Sequence, residues 1–151
     1  MATETIAAIA TGMTNAGIGI VRISGEESFP IIDQIYRSRN GRTKLSESPS
    51  HTVHYGYICD GEKVIDEVMV LILKAPNTYT MEDTVEIDCH GGALVLKRVL
   101  ETVLKYGARP AEPGPYPSME ICSGSSSADS IKAISWRTAP LIPLIFSFTV
   151  P

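Results

Sequence analysis

The stretch Thr84-Val85-Glu86-Ile87-Asp88-Cys89-His90-Gly91-Gly92, together with the run from Ala93 to Gly107, decides the fold. Its first half alternates. Val85 and Ile87 point to one side and Thr84, Glu86 and Asp88 to the other, the period of two of a strand with one buried face. Gly91 and Gly92 free the backbone for a sharp turn. From Ala93 the period lengthens: Leu96, Val99, Leu100 and Val103 recur at helical spacing, with Lys97, Arg98, Glu101 and Lys105 opposite. Lys97/Glu101 and Glu101/Lys105 stand four apart, and each such pair adds about 0.2–0.5 kcal/mol. Gly107 suits the left-handed C-terminal cap. A strand thus delivers acidic side chains and a histidine to a glycine turn at a helix start, an arrangement that can hold a ligand.

Working back from there, Val68 to Leu73 is apolar on both faces and reads as a central strand. Thr52–Cys59 and Lys63–Lys74 form a hairpin joined at Asp60-Gly61. Tyr79 to Asp83 is a loop. Arg37 to Ser50 reads as a polar linker. Ser24 and Glu27 have capping-box spacing for a helix carrying Phe29, Ile32, Ile35 and Tyr36 inward. Pro30 sits badly inside such a helix, and a start at Ser28 places it in the tolerated first turn. Thr5–Ala10 and Ile18–Ile23 are strands around a loop at Gly12–Gly17. Gly17 and Gly19 let another backbone or a ligand come close. The order of strands, helix, hairpin, strand and helix predicts an α/β domain of the mixed α+β kind, with a mixed sheet and two main helices.

Bulk properties narrow the function. With 151 residues, 44 % of them hydrophobic, the chain has material for one core. A net charge of -4 leaves no basic footprint for nucleic acid. Cys59, Cys89 and Cys122 are an odd set without metal-ligand spacing, which argues against a disulfide framework or a zinc site and for reduced thiols. The N-terminus has no charged segment leading into a continuous apolar core, so it does not read as a signal peptide. The expectation is a soluble cytoplasmic domain.

Three stretches together resemble a known family: Thr5-Ile6-Ala7-Ala8-Ile9-Ala10-Thr11 with Gly17-Ile18-Gly19-Ile20-Val21-Arg22-Ile23-Ser24-Gly25; Asn77-Thr78-Tyr79-Thr80 with Glu82-Asp83 through Cys89-His90-Gly91-Gly92; and Ala108-Arg109-Pro110-Ala111-Glu112-Pro113-Gly114. They are similar to the N-terminal domain of the MnmE/TrmE family of tRNA-modification GTPases. The resemblance covers residues 1–114. It implies a folate-binding domain, similar in fold to the tetrahydrofolate-binding part of glycine-cleavage aminomethyltransferases. It further implies a homodimer, a 5-formyl- or 5,10-methylene-tetrahydrofolate cofactor, and a one-carbon unit passed to the wobble uridine of tRNA with the flavoprotein MnmG/GidA.

By that resemblance Glu86 accepts the adjacent N–H donors of the pterin, a charge-assisted pairing. Arg22 meets acidic or carbonyl oxygens of the ligand as a bidentate donor. Read without the family, the two are an ordinary ion pair between neighbouring strands. His90 reads either as catalytic or as a turn histidine bonded to backbone, and the second is favoured because no nucleophile or base partner is visible. Cys89 is expected to be buried and inert. The Gly91-Gly92 turn either binds an anion or serves only the turn. Asn15-Ala16 stands where many family members have arginine and glycine, which argues against phosphate contacts there.

After Gly114 the family pattern gives way to Pro115-Tyr116-Pro117-Ser118 and a serine-rich run, so residues 115–151 are expected to be a divergent, poorly ordered tail from a frameshift or truncated gene. Translating the other two frames after codon 114 tests that. The apolar run Ala139–Val150 contains two prolines and is shorter than the roughly 20 residues a membrane span needs. The chain shows no Gly-x-x-x-x-Gly-Lys-Ser/Thr loop, so no GTP hydrolysis is expected of it, and neither catalytic residues nor a metal site are assigned. Two other functions fit the same residues. One is a stand-alone folate-dependent aminomethyl or formyl transferase using Asp88 or His90 as base; the other is a non-enzymatic remnant that dimerises, or fails to fold, with no ligand.

Overall fold

The computed structural model describes residues 4–13, 16–41 and 44–112; the tail expectation for 115–151 and Asn15 lie outside them. The described chain runs β1 (Ile6–Ile9), β2 (Ile18–Ser24), α1 (Ser28–Ile35), β3 (Tyr36–Ser38), a 3-10 turn (Leu45–Glu47), β4 (Thr52–Asp60), β5 (Lys63–Leu73), β6 (Thr84–His90), α2 (Ala93–Lys105) and β7 (Arg109–Pro110). The strands form one mixed sheet in the order β3-β4-β5-β6-β2-β1-β7. Among these strands only β7 runs parallel to its neighbour; the other pairings are antiparallel. This is the mixed α+β architecture the sequence predicts.

One face of the sheet carries Val21, Ile23, Val68, Val70, Ile72, Val85 and Ile87, all buried against Ile31, Ile32 and Ile35 of α1 and Leu96, Val99 and Val103 of α2. Each such side chain contributes about 1.5–3 kcal/mol when removed from water. The alternation in β6 and the helical stripe in α2 therefore meet in one core. Gly107 ends α2 at φ +125°, its N–H donating to the Leu104 carbonyl and that of Ala108 to the Val103 carbonyl, the paired bonds of a Schellman end. The hairpin turns at Gly61, φ +61°.

Three expectations need correction. Ser24 does not cap α1; it ends β2, and its hydroxyl meets Thr80 and Glu82 instead, while α1 starts at Ser28 with Pro30 in its first turn. Arg37–Ser50 is not only linker: β3 pairs with β4, and Leu45 is fully buried in the 3-10 turn. The Asp33 carboxylate accepts the Leu45 and Ser46 N–H groups (2.6 and 3.2 Å), which is why this polar stretch folds. β5 is central but not buried on both sides, since Met69 is 43 % exposed. Its outer face belongs to a side of the sheet on which neither helix packs.

Candidate functional site

That outer face carries the acidic row of β6. Arg22 in β2 and Glu86 in β6 are register partners across adjacent antiparallel strands. The Arg22 Nε donates to Glu86 Oε1 at 2.7 Å, and Nη2 donates to the same oxygen. The two side chains are 15 % and 12 % exposed, so they are reachable but largely desolvated. The structure therefore brings the two predicted site residues together, and it does so as the cross-strand ion pair that reading them without the family suggests.

The Tyr79 ring faces the Arg22 guanidinium, its centroid 5.1 Å from the guanidinium carbon. Tyr79 sits on the loop before β6, whose base is pinned at several points. Thr80 and Glu82 meet Ser24, Thr78 Oγ1 donates to the Glu82 carbonyl (2.6 Å), and the Asp83 carboxylate accepts the Ala75 N–H (2.9 Å). The crown stays open: Tyr79 and Met81 are exposed, and Met81 holds φ +60°, a left-handed backbone that a non-glycine residue adopts at a cost.

Further along β6 the same face opens into a pocket of about 350 Å³ lined by Gly17, Ile18, Tyr55, Glu67, Met69, Asp88 and His90, among others. Arg22 and Glu86 do not line it; Asp88, two residues beyond Glu86, does. Burial, with Glu86 nearby, holds the Asp88 carboxyl above its usual range. Cys89 points inward, donates its thiol to the Gly19 carbonyl (3.3 Å), and has a pKa pushed up to about 12 by burial and then by Asp66 and Asp88. Its burial is as predicted, and a buried thiol of this kind is expected to be unreactive.

His90 departs from expectation. Its backbone N–H donates to Asp66 Oδ2 (2.8 Å) and its ring Nδ1 lies 2.8 Å from Asp66 Oδ1. A carboxylate partner exists where the sequence reading finds none. Asp66 is 24 residues away, and no local pattern links the two. What joins them is the β5–β6 pairing near its end, next to the β-bulge in β5 where Ile65 is left unpaired between Asp66 (opposite Ile58) and Val64 (opposite Cys59). Among the described residues no group of His, Cys, Asp and Glu side chains could hold a metal ion.

The glycines have structural duties. A Cβ on Gly91 would lie 1.6 Å from the Ala16 carbonyl oxygen, and the Gly91 N–H donates to the Gly17 carbonyl (3.1 Å), so Gly91 lets the Ala16–Gly17 backbone close against the turn, while Gly92 supplies its φ of +130°. At Gly19 the close neighbour is the Leu96 side chain, 2.6 Å from where a Cβ would stand.

A sheet with two helices behind it, a paired Arg–Glu in front and a largely apolar pocket further along the same face define a two-layer α+β domain. Residues 5–120 match the family described as "GTP-binding protein TrmE N-terminus", and the chain belongs to that family. It is 57 % identical over 134 residues to the tRNA modification GTPase MnmE of Lachnoclostridium phytofermentans, 89 % of this chain and 29 % of that protein. It is 46 % identical over 133 residues to the MnmE of Bacillus subtilis, 87 % and 29 %. The Staphylococcus aureus (strain Newman) MnmE gives 45 % over 133 residues, 87 % and 28 %. The chain thus spans somewhat under a third of the length of these curated relatives. No helix among the described residues is long and apolar enough to cross a membrane.

Proposed function

We propose that this domain binds a one-carbon tetrahydrofolate, 5-formyl- or 5,10-methylene-tetrahydrofolate, and pairs with a second copy of itself. The whole protein to which it belongs would act in the cytoplasm on the wobble uridine of tRNA, with the flavoprotein MnmG/GidA as partner. The observation that carries this reading is the Arg22–Glu86 pair, held on the helix-free face with its arginine facing an exposed tyrosine. A carboxylate so placed can accept two side-by-side N–H donors of a pterin, while the guanidinium turns to the ligand's oxygens. Support for pairing comes from Ile18, Val53, Tyr55 and Met69, all exposed on or beside that face.

Isothermal titration with 5-formyl-tetrahydrofolate tests the ligand. Hydrogen bonds to charged groups are worth about 1.5–3 kcal/mol, so Glu86→Ala and Arg22→Ala should each weaken binding roughly tenfold or more. Unchanged binding in both variants removes these residues from the site. Sedimentation equilibrium tests the pairing, and a monomer at all concentrations rejects it.

A further inference from the structure

The Asp66 carboxylate, 11 % exposed, takes both the backbone N–H and the ring Nδ1 of His90. A carboxylate only accepts, so the Nδ1 must carry the hydrogen. The other ring nitrogen, Nε2, then accepts in the neutral ring and donates in the cation. The His90 side chain is 64 % exposed and lines the pocket beside Asp88, Glu67, Tyr55 and Met69. Among the described residues the titratable groups around the ring come from three strands: Asp66 and Glu67 from β5, Asp88 and the buried Cys89 from β6, and Tyr55 from β4. The β2 side contributes Gly17 and Ile18, which carry no charge.

Every neighbouring side-chain charge is therefore negative and favours the imidazolium. The ring's affinity for its proton is raised accordingly, first by the hydrogen bond to Asp66, then by the charge of Asp66 and that of Glu67. A ring held in one tautomer on the wall of a pocket can give a proton to something bound there. The Arg22–Glu86 pair has no need of it.

We propose that His90, with Asp66 as its positioning residue, is the proton-donating group of this pocket, presenting Nε2–H to an acceptor oxygen or nitrogen of a flat ligand seated against Tyr55 and Met69. When the free ring is neutral, binding takes up one proton from solvent and dissociation returns it. The choice of probe below rests on the folate reading; the state of the ring does not.

Two measurements on the full chain decide it. Nitrogen-15 NMR of the imidazoles across pH, with His90→Gln assigning the signal, should show the neutral ring protonated at Nδ1. In Asp66→Asn that preference should vanish and the titration should move to lower pH. Calorimetry with 5-formyl-tetrahydrofolate should show affinity falling severalfold from pH 6 to pH 8, where the ligand's carboxylates, titrating near about 4, are silent. The fall should be absent in His90→Gln and displaced to lower pH in Asp66→Asn. The same fall in His90→Gln overturns the proposal and leaves the folate reading standing. No binding by the unmodified chain sinks the folate reading instead, and the ring is then judged by NMR. A neutral ring protonated at Nε2, or an unaltered titration in Asp66→Asn, overturns the proposal; the Nδ1–H form with the displaced titration upholds it.

Discussion

Gly19 and Leu96 offer a sharp test of how β2 and α2 are fitted together. A Cβ at residue 19 would stand 2.6, 2.8 and 2.9 Å from Cδ2, Cγ and Cδ1 of Leu96, whose side chain is 1 % exposed and has little room to retreat. Gly19→Ala is therefore an overpacking change, costing ~2 kcal/mol on the usual 1–3 kcal/mol scale. Leu96→Ala alone empties a core position and costs ~3 kcal/mol. If the sites were independent, the double variant would lose ~5 kcal/mol. The geometry forbids that sum. Once Leu96 is cut back to a methyl, nothing at that position overlaps the methyl added at residue 19, so the double variant should lose only ~3 kcal/mol. Urea unfolding followed by circular dichroism at constant m-value reads all four corners of the cycle. A neutral Gly19→Ala, or additivity within about 0.5 kcal/mol, refutes the close contact.

Gly91→Ala should cost roughly 2 kcal/mol or more, because the obstacle is the Ala16 carbonyl rather than a flexible side chain; an unfolding midpoint equal to the wild type refutes that contact. Asp88→Asn should raise the thermal midpoint at pH 7. The folded pKa of Asp88 lies above its unfolded value, so its ionised form costs stability at neutral pH, and the cost fades as pH falls through the folded pKa. A midpoint that is lower at pH 7, or a difference that widens in acid, contradicts this. Cys89, and Cys59 with it, should resist iodoacetamide at pH 8 until the chain unfolds, as peptide mapping by mass spectrometry would reveal; rapid native labelling of Cys89 denies its burial.

What could be read ahead of the structure follows a physical divide. The β6–α2 unit was legible because one strand period and one helical period, separated by Gly91-Gly92, each leave a plain apolar pattern. The hairpin was legible through Asp60-Gly61. β3 and the turn at Leu45 were not, since their order comes from Asp33 reaching across from α1 rather than from any local propensity. Ser24 misled for a related reason: its spacing to Glu27 fits a capping box, but β2 keeps the residue and the loop before β6 satisfies its hydroxyl. At the site, Arg22 and Glu86 could be named from the resemblance, whereas their direct register could come only from the strand order β6-β2. Asp66 stayed hidden because its partnership with His90 depends on a pairing between strands, which residue types alone do not encode.

The two-residue strand β7 has a further consequence. Through the Arg109 and Ala111 N–H groups it takes the Thr5 and Ala7 carbonyls along the outer side of β1, and Arg109 Nε also lies 2.8 Å from Glu4 Oε2. Without it those carbonyls would form a bare sticky margin open to any stray chain. On the ribosome that margin stays unzipped until residue 111 has emerged, so β1 is sealed only after the other described strands have been made.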